Sequence, residues 1–543
     1  MNFKEAESSQ KLSGSYYTPY WLAEYIVHWV LNEGANNILE PSCGDGVFFD
    51  ALPNTENNLS VTGLDINDMA TTICVNKLSK LPIKSTISTQ DFLQWSINNL
   101  ISSSPKTFDA VVGNPPFIRY QYLDKEVQER AQQLFKLMKM KFSKHTNAWI
   151  PFVISSIKFL NAGGHLGMVL PSELLHVLYA KGLRDYLLQE CSRILIIDPE
   201  DLWFEDTLQG VIVLMAEKKY DSNQKTDGIA IIHTKGQSFT QENPSSLFAN
   251  ADYVDGNFLK DKWTYALLTA NERQVYKSIC SLPNVYNFSD LATADVGIVT
   301  GANKFFLVSD DIVKKYNLQA VAHPMFGRSE HCPGIIYNKT QHDENAEKGL
   351  PTNFLYFCNK DDDLTYKEYL KLGESEGLPS RYKCKIRTPW YKVPSVSASP
   401  ISMLKRSNGM PRLILNELNA YTTDTAYRIV PTDRTDANSL VVCFLNTLTA
   451  LSAELEGRHY GGGVLELVPS EIDRLKVPYI TIPNANIYEL NTFVKHHSIE
   501  EILQQQDSFI FSALGVNEAD VKTLQNALIR IKDRRQRITE SEN

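Results

Sequence analysis

Residues 20–33, YWLAEYIVHWVLNE, set Leu22, Ile26 and the Trp29/Val30 pair at helical spacing. That stripe predicts a helix packed on a sheet. Short apolar runs then end in turn residues: NILE before PSCGDG, LSVTGLD before INDMA, and FDAVVG before NPPF. Helices are predicted over 67–80, 125–140 and 147–162, and further strands over 165–171, 193–198, 210–217 and 228–234. Strands rich in Val, Ile and Leu that alternate with helices predict an α/β fold, its parallel sheet covered on both faces. The late strands follow one another with little helix between them, which predicts an antiparallel strand at the sheet edge.

After about residue 240 the chain is richer in Asn, Asp, Tyr and Pro, and the alternation is lost. A boundary within 240–255 divides the chain into a first domain, 1–245, and a second, 246–543. The second is expected to be an irregular α+β domain ending in helices at 489–506 and 516–534.

Composition narrows the setting. A chain of 543 residues can hold two large domains with ample core. It has no run of eighteen apolar residues, and its start lacks the apolar stretch of a secretory signal. Cytoplasmic residence without a membrane partner is therefore the expectation. Eight cysteines are scattered without a CxxC pair, so no metal site is expected. The net charge of −9 speaks against a polyanionic partner. Residues 371–430, however, hold ten Lys/Arg against four Asp/Glu, and a groove needs only a local positive field.

Candidate chemistry gathers at the ends of the early strands. Gly44 and Gly46 follow the first strand, where lacking a Cβ permits a tight turn and close approach to a ligand. Glu40 at that strand end disfavours a phosphate and suits the ammonium of an amino-acid-like ligand. Asp65 closes the next strand, where a carboxylate can accept from two ribose hydroxyls. Asp91-Phe92 offers a carboxylate for an adenine amine beside a ring. The full GxGxxG fingerprint of dinucleotide sites is missing, which disfavours NAD; a plain glycine turn is the competing reading.

Asn114-Pro115-Pro116-Phe117 follows the strand FDAVVG. Two prolines fix φ and remove both N–H donors, leaving the Asn114 amide oxygen and the Pro115 carbonyl as rigid acceptors. Two acceptors match the two N–H groups of an exocyclic amine, and Phe117 offers a stacking surface. A rigid turn with a capping asparagine and a core phenylalanine is the alternative.

GSYYTP (14–19), EPSCGDG (40–46), LDIN (64–67), DF (91–92) and NPPF (114–117) occur in the order that resembles the gamma class of DNA amino-methyltransferases. GGHLGMVLPSELL (163–175) and LWFEDTLQGVIVL (202–214) resemble that family's next segments. GIVTGANKFF (297–306), IRTPWY (386–391), LNAYTTDTAYRI (418–429) and HYGGGVLELVPSEIDRL (459–475) resemble its target-recognition region. The resemblance implies a seven-stranded, mostly parallel Rossmann-like methyltransferase sheet in 1–245, followed by a DNA target-recognition domain. It implies that Thr18 and Glu40 sit near the methionine end of S-adenosyl-L-methionine. Asp65 would hold the ribose, Ile66 would pack on the adenine, and Asp91, Phe92 and Pro116 would complete the pocket with Gly44. Asn114, Pro115 and Phe117 would handle a target adenine, with Phe204, preferred over Trp203, as a second stacking aromatic. Phe117 stands where the family more often has tyrosine.

The implied activity is site-specific methylation of adenine N6 in double-stranded DNA, within a restriction-modification system. Cytosine N4 presents the same amine geometry, and a catalytically inactive DNA-binding module is a further alternative. A target base inside a duplex must be flipped out, which calls for a second surface on the backbone. Lys383, Lys385, Arg387, Lys405, Arg406 and Arg412 are the candidates for phosphate contact. Trp390 and Tyr391, interleaved with them, either wedge between bases or form local core. No fused nuclease is evident, so a separate cognate restriction endonuclease and a monomeric enzyme are expected.

Overall fold

The computed structural model describes residues 18–54, 58–143, 146–200, 203, 210–256, 259, 262–357, 366–394, 396–460, 462–482 and 486–536. The chain divides into two compact units, the first running to Leu267 and the second spanning Leu268–Gln536.

The first unit is a mixed α/β fold around an eight-stranded sheet. Its strands are β1 (Asn37–Glu40), β2 (Ser60–Asp65), β3 (Lys84–Thr89), β4 (Phe108–Gly113), β5 (Leu160–Pro171), β6 (Cys191–Pro199), β7 (Val211–Lys218) and β8 (Gly228–Thr234). The order is β3-β2-β1-β4-β5-β7-β6-β8, eight strands where the resemblance implies seven, with β8 at the position 228–234 predicted from the sequence. β7 is antiparallel to both β5 and β6, and β8 lies parallel to β6 at the edge. The expectation of an antiparallel edge strand is thus corrected: the antiparallel strand is internal. Val211–Glu217 are all buried and need partners on both sides, whereas β8 leaves Ile231, Ile232 and His233 partly exposed, as an edge allows.

The Tyr20–Asn32 helix buries Leu22, Ile26, Trp29 and Val30, the stripe that the spacing predicts. The Lys125–Leu137 helix stops before 140 because Lys139 turns left-handed at φ 55°. Its N–H reaches the Lys136 carbonyl and that of Met140 the Phe135 carbonyl, closing the helix end. The Trp149–Phe159 helix passes directly into β5, which begins at Leu160 rather than 165.

The first unit extends beyond 245 because the next elements pack on it. The Trp29 and Phe248 rings lie 4.9 Å apart, and Val254 exchanges backbone hydrogen bonds with Ile229 of β8. The second unit holds a five-stranded sheet in the order Ala292–Val296, Ala426–Pro431, Ile401–Leu404, Leu413–Asn416, Ile336–Tyr337. The expected helix over 489–506 is two helices, Asn486–His496 and Ile499–Leu514, because Ser498 and Glu501 form a capping box that starts the second. Glu518–Gln536 follows. Among the described residues no single helix is long and apolar enough to cross a membrane.

Candidate active site

The turn after β1 is held by side chains of its neighbours. Gly44 (φ 50°) and Gly46 (φ 91°) adopt left-handed backbone, and a Cβ on Gly46 would stand 2.9 Å from Cys74 Sγ. Asp65 at the end of β2 accepts from the Gly44 N–H through Oδ2 and from the Asn67 N–H through Oδ1, both at 2.8 Å. One carboxylate thereby fixes two turns. A carboxylate offers about four lone-pair sites, so this one can still accept from hydroxyl groups. Between these anchors Ile66 is 77% exposed, an apolar side chain standing over the strand ends.

Glu40 is 1% exposed, and its Oε2 has no hydrogen-bond partner among the described residues. Burial, with smaller contributions from Cys74, Asp65, Asp45 and Asp50, pushes its carboxyl well above the usual range. A buried acid in this state is matched by a cationic ligand. Asp91 caps the Phe92–Ile101 helix, accepting from Gln94 N–H at 2.7 Å, and its Oδ2 pairs with Arg130 at 3.2 Å. The Phe92 ring lies behind the strand end. It is 2% exposed and packs on Trp95 and Phe152, so it supports the strand end from the core.

Asn114 follows β4, which pairs with β1 and β5. The Ser42 hydroxyl donates to its backbone carbonyl at 3.0 Å, and its side-chain amide donates to Thr18 Oγ at 3.2 Å. The second bond ties the Asn114 amide to Thr18, two residues before the Tyr20–Asn32 helix. Pro115 is buried, while Pro116 and Phe117 are half-buried, the Phe117 ring resting on the core of the first unit. Beyond them the Ala148 N–H donates to the Ile118 carbonyl at 2.9 Å, tethering the loop.

A buried network beside this loop escapes pattern reading. Glu173, just after β5, accepts from Tyr179 and from Asn147 at 3.2 Å, and Asn147 also meets the Tyr179 hydroxyl at 2.7 Å. Burial raises the Glu173 carboxyl. The only signal was an acid within PSELL directly after an apolar strand. Trp203 packs on Trp21 and Phe239 and donates to the Gly236 carbonyl at 3.2 Å, so it belongs to the core. Phe204 lies outside the described residues.

In the basic window, Lys383 and Lys385 are exposed. Arg387 donates to the carbonyls of Thr300 and Val299 at 2.6 and 2.7 Å. Arg412 donates to those of Pro333 and Cys332 at 2.5 and 3.4 Å. Burial pushes both guanidiniums down. These two fasten the chain's own loops, a use of the guanidiniums that favours a structural role over phosphate contact. Lys405 and Arg406 share the buried Glu466, at 3.4 and 2.7 Å, which cancels part of their charge. Tyr391 is buried and Trp390 packs on Phe305, so the core alternative holds for both. Among the described residues no group of three or more His, Cys, Asp or Glu is arranged to hold a metal ion.

Two families match the chain in order. Eco57I restriction-modification methylase matches residues 54–203, and Type II methyltransferase M.Eco57I, C-terminal domain, matches residues 260–511. The chain is 23% identical over 484 residues to Type II methyltransferase M.AccI of Acinetobacter calcoaceticus, covering 86% of this chain and 85% of that one. It is 25% identical over 388 residues to Type II methyltransferase M.HindII of Haemophilus influenzae, covering 67% and 69% respectively. The solved structure of the type IIG restriction endonuclease BpuSI aligns with a TM-score of 0.43 and 13% identity, over 97% of this chain and 66% of that one.

Proposed function

We propose that this chain, which belongs to the type II restriction-modification methyltransferase family, methylates N6 of an adenine in duplex DNA using S-adenosyl-L-methionine. The first unit carries the chemistry and the second recognises the target. The observation that carries the reading is the Asn114 amide, bonded to Thr18 just beyond β4, in a sheet whose adjacent strand β1 ends in Glu40, whose Oε2 has no partner among the described residues.

The residues present fit the cofactor. Glu40 offers a buried acceptor for its ammonium, Asp65 acceptors for its ribose, and Ile66 an exposed apolar surface for its adenine. When bound, the cofactor supplies a methyl carbon made electrophilic by a sulfonium. The protein's part is to present the amine. Asn114 Oδ1 and the Pro115 carbonyl accept its two N–H groups, drawing the nitrogen out of conjugation and aiming its lone pair at the methyl. The bound cofactor would supply the methyl and carry the sulfur leaving group, while Asn114 and the Pro115 carbonyl would hold the amine as its proton passes to water. Phe117 stacks on the extruded base.

An adenine target is favoured over cytosine because the tetrapeptide begins with Asn; the cytosine N4 class usually begins with Ser or Asp. The test is modified-base sequencing of DNA from a host that expresses the chain. N6-methyladenine at one recurrent site is expected. N4-methylcytosine would overturn the adenine assignment, and unmodified DNA the activity.

A further inference from the structure

Resting on the DNA-modification reading, we propose that Tyr382 and Ile386 form an apolar wedge that enters the base stack of duplex DNA, flanked by Arg381, Lys383 and Lys385 on the phosphates. Tyr382 is 75% and Ile386 66% exposed, although both are large and apolar in body. They stand four residues apart on the short helix Tyr382–Lys385 and its C-cap, a spacing that puts them on one face.

The opposite side of this segment is firmly mounted. Cys384 is fully buried in a cluster with Phe305, Tyr369 and Tyr391. Arg387 grips the Val299 and Thr300 carbonyls, and a Cβ on Gly301 (φ 79°) would lie 2.6 Å from the Lys383 Cβ. A tip on so fixed a base does not fold away to hide its apolar surface.

Its surroundings select the partner. From 381 to 392 the chain has Arg381, Lys383, Lys385, Arg387 and Lys392 and no acid, and the first three are exposed. An apolar tip framed by cations matches base faces framed by phosphates. Side chains of this kind partially unstack base steps, and cations alongside hold the strand.

The test uses the full-length protein and a short duplex carrying the site it methylates, with 2-aminopurine in place of bases neighbouring the target. Wild type should raise 2-aminopurine fluorescence by unstacking it. Tyr382→Ala should lose that signal and bind about tenfold more weakly with an unchanged salt slope, while Tyr382→Phe keeps both. Lys383→Ala and Lys385→Ala should each lower the salt slope by about 1. Because Tyr382 is exposed, an unchanged melting temperature serves as the folding control.

Undiminished affinity and fluorescence with Tyr382→Ala would overturn the wedge while leaving wild-type methylation, and the functional reading, intact. A weaker Tyr382→Ala complex with a reduced slope would make the residue a support for phosphate contacts and also overturn it. Tyr382-dependent binding to phosphatidylserine vesicles, with none to the duplex, would assign the patch to an anionic membrane instead. A wild-type chain that methylates no DNA would remove both readings.

Discussion

The Asn114 side-chain amide donates to Thr18 Oγ at 3.2 Å, across 96 residues of chain. We propose that this bond helps to steady the amide for an amine, so that Thr18 acts as a positioning residue through Asn114. Thr18→Val should lower single-turnover methylation about tenfold, the order of one misaligned hydrogen bond, and Thr18→Ser should restore most of it. Equal activity of Thr18→Val and wild type would show that Asn114 is oriented by something else.

Asn114 and Phe117 should separate by substrate. Asn114→Ala removes an acceptor needed as the nitrogen becomes nucleophilic, so turnover should fall by about two orders of magnitude or more with cofactor affinity nearly intact. Phe117→Ala removes a stacking surface worth about 1–3 kcal/mol. A mismatch at the target lowers the cost of flipping and should rescue Phe117→Ala in part, but not Asn114→Ala. Methylation rates on matched and mismatched duplexes that rescue both variants equally would rule out this division.

Glu40 makes the site sensitive to pH. Its carboxyl is raised well above the ordinary 4.5 by burial, so the folded, cofactor-free chain keeps a proton that the unfolded chain loses. Its stabilising share is fully present below the unfolded value and is lost as pH rises through the raised one. Cofactor affinity should run the other way, rising over the same window as the carboxylate forms to meet the ammonium. Glu40→Gln should flatten both profiles, melt higher than wild type at neutral pH without cofactor, and bind cofactor about tenfold or more weakly. Calorimetric titrations across pH check this, and an unchanged pH profile in the variant would contradict it.

Arg412 should matter for stability and not for salt-dependent DNA binding. Arg412→Ala leaves the Pro333 and Cys332 carbonyls without this donor and should cost about 1–3 kcal/mol of unfolding free energy. Its log affinity against log salt should keep the wild-type slope. A slope reduced by about 1 would return Arg412 to the phosphate contacts.

Strand ends were legible because apolar runs stopped at turn residues, and Glu40, Asp65 and Asn114 stand at or just beyond such ends. The polar strand β3, KSTIST, carries no apolar alternation because it lies at an edge. Strand order was hidden for a different reason. Hydrophobicity tells that Val211–Glu217 is buried, but not which strands lie beside it. Phe92 read as a ligand contact because its neighbour Asp91 follows a strand, while its ring turns inward to Trp95. In the basic window a charge count cannot distinguish Lys385, which is exposed, from Arg387, which holds two carbonyls.

The internal antiparallel strand has a consequence for synthesis on the ribosome. β7 is made after both of the strands it joins, so a nascent chain that has just completed β6 has no ladder between β5 and β6. Until Val211–Lys218 emerges, two long apolar strands present open edges to other chains. Stalling in that interval, or a gene truncated within it, should yield aggregates instead of a partly active enzyme, and the half-sheet beyond β4 should form as one late, cooperative event.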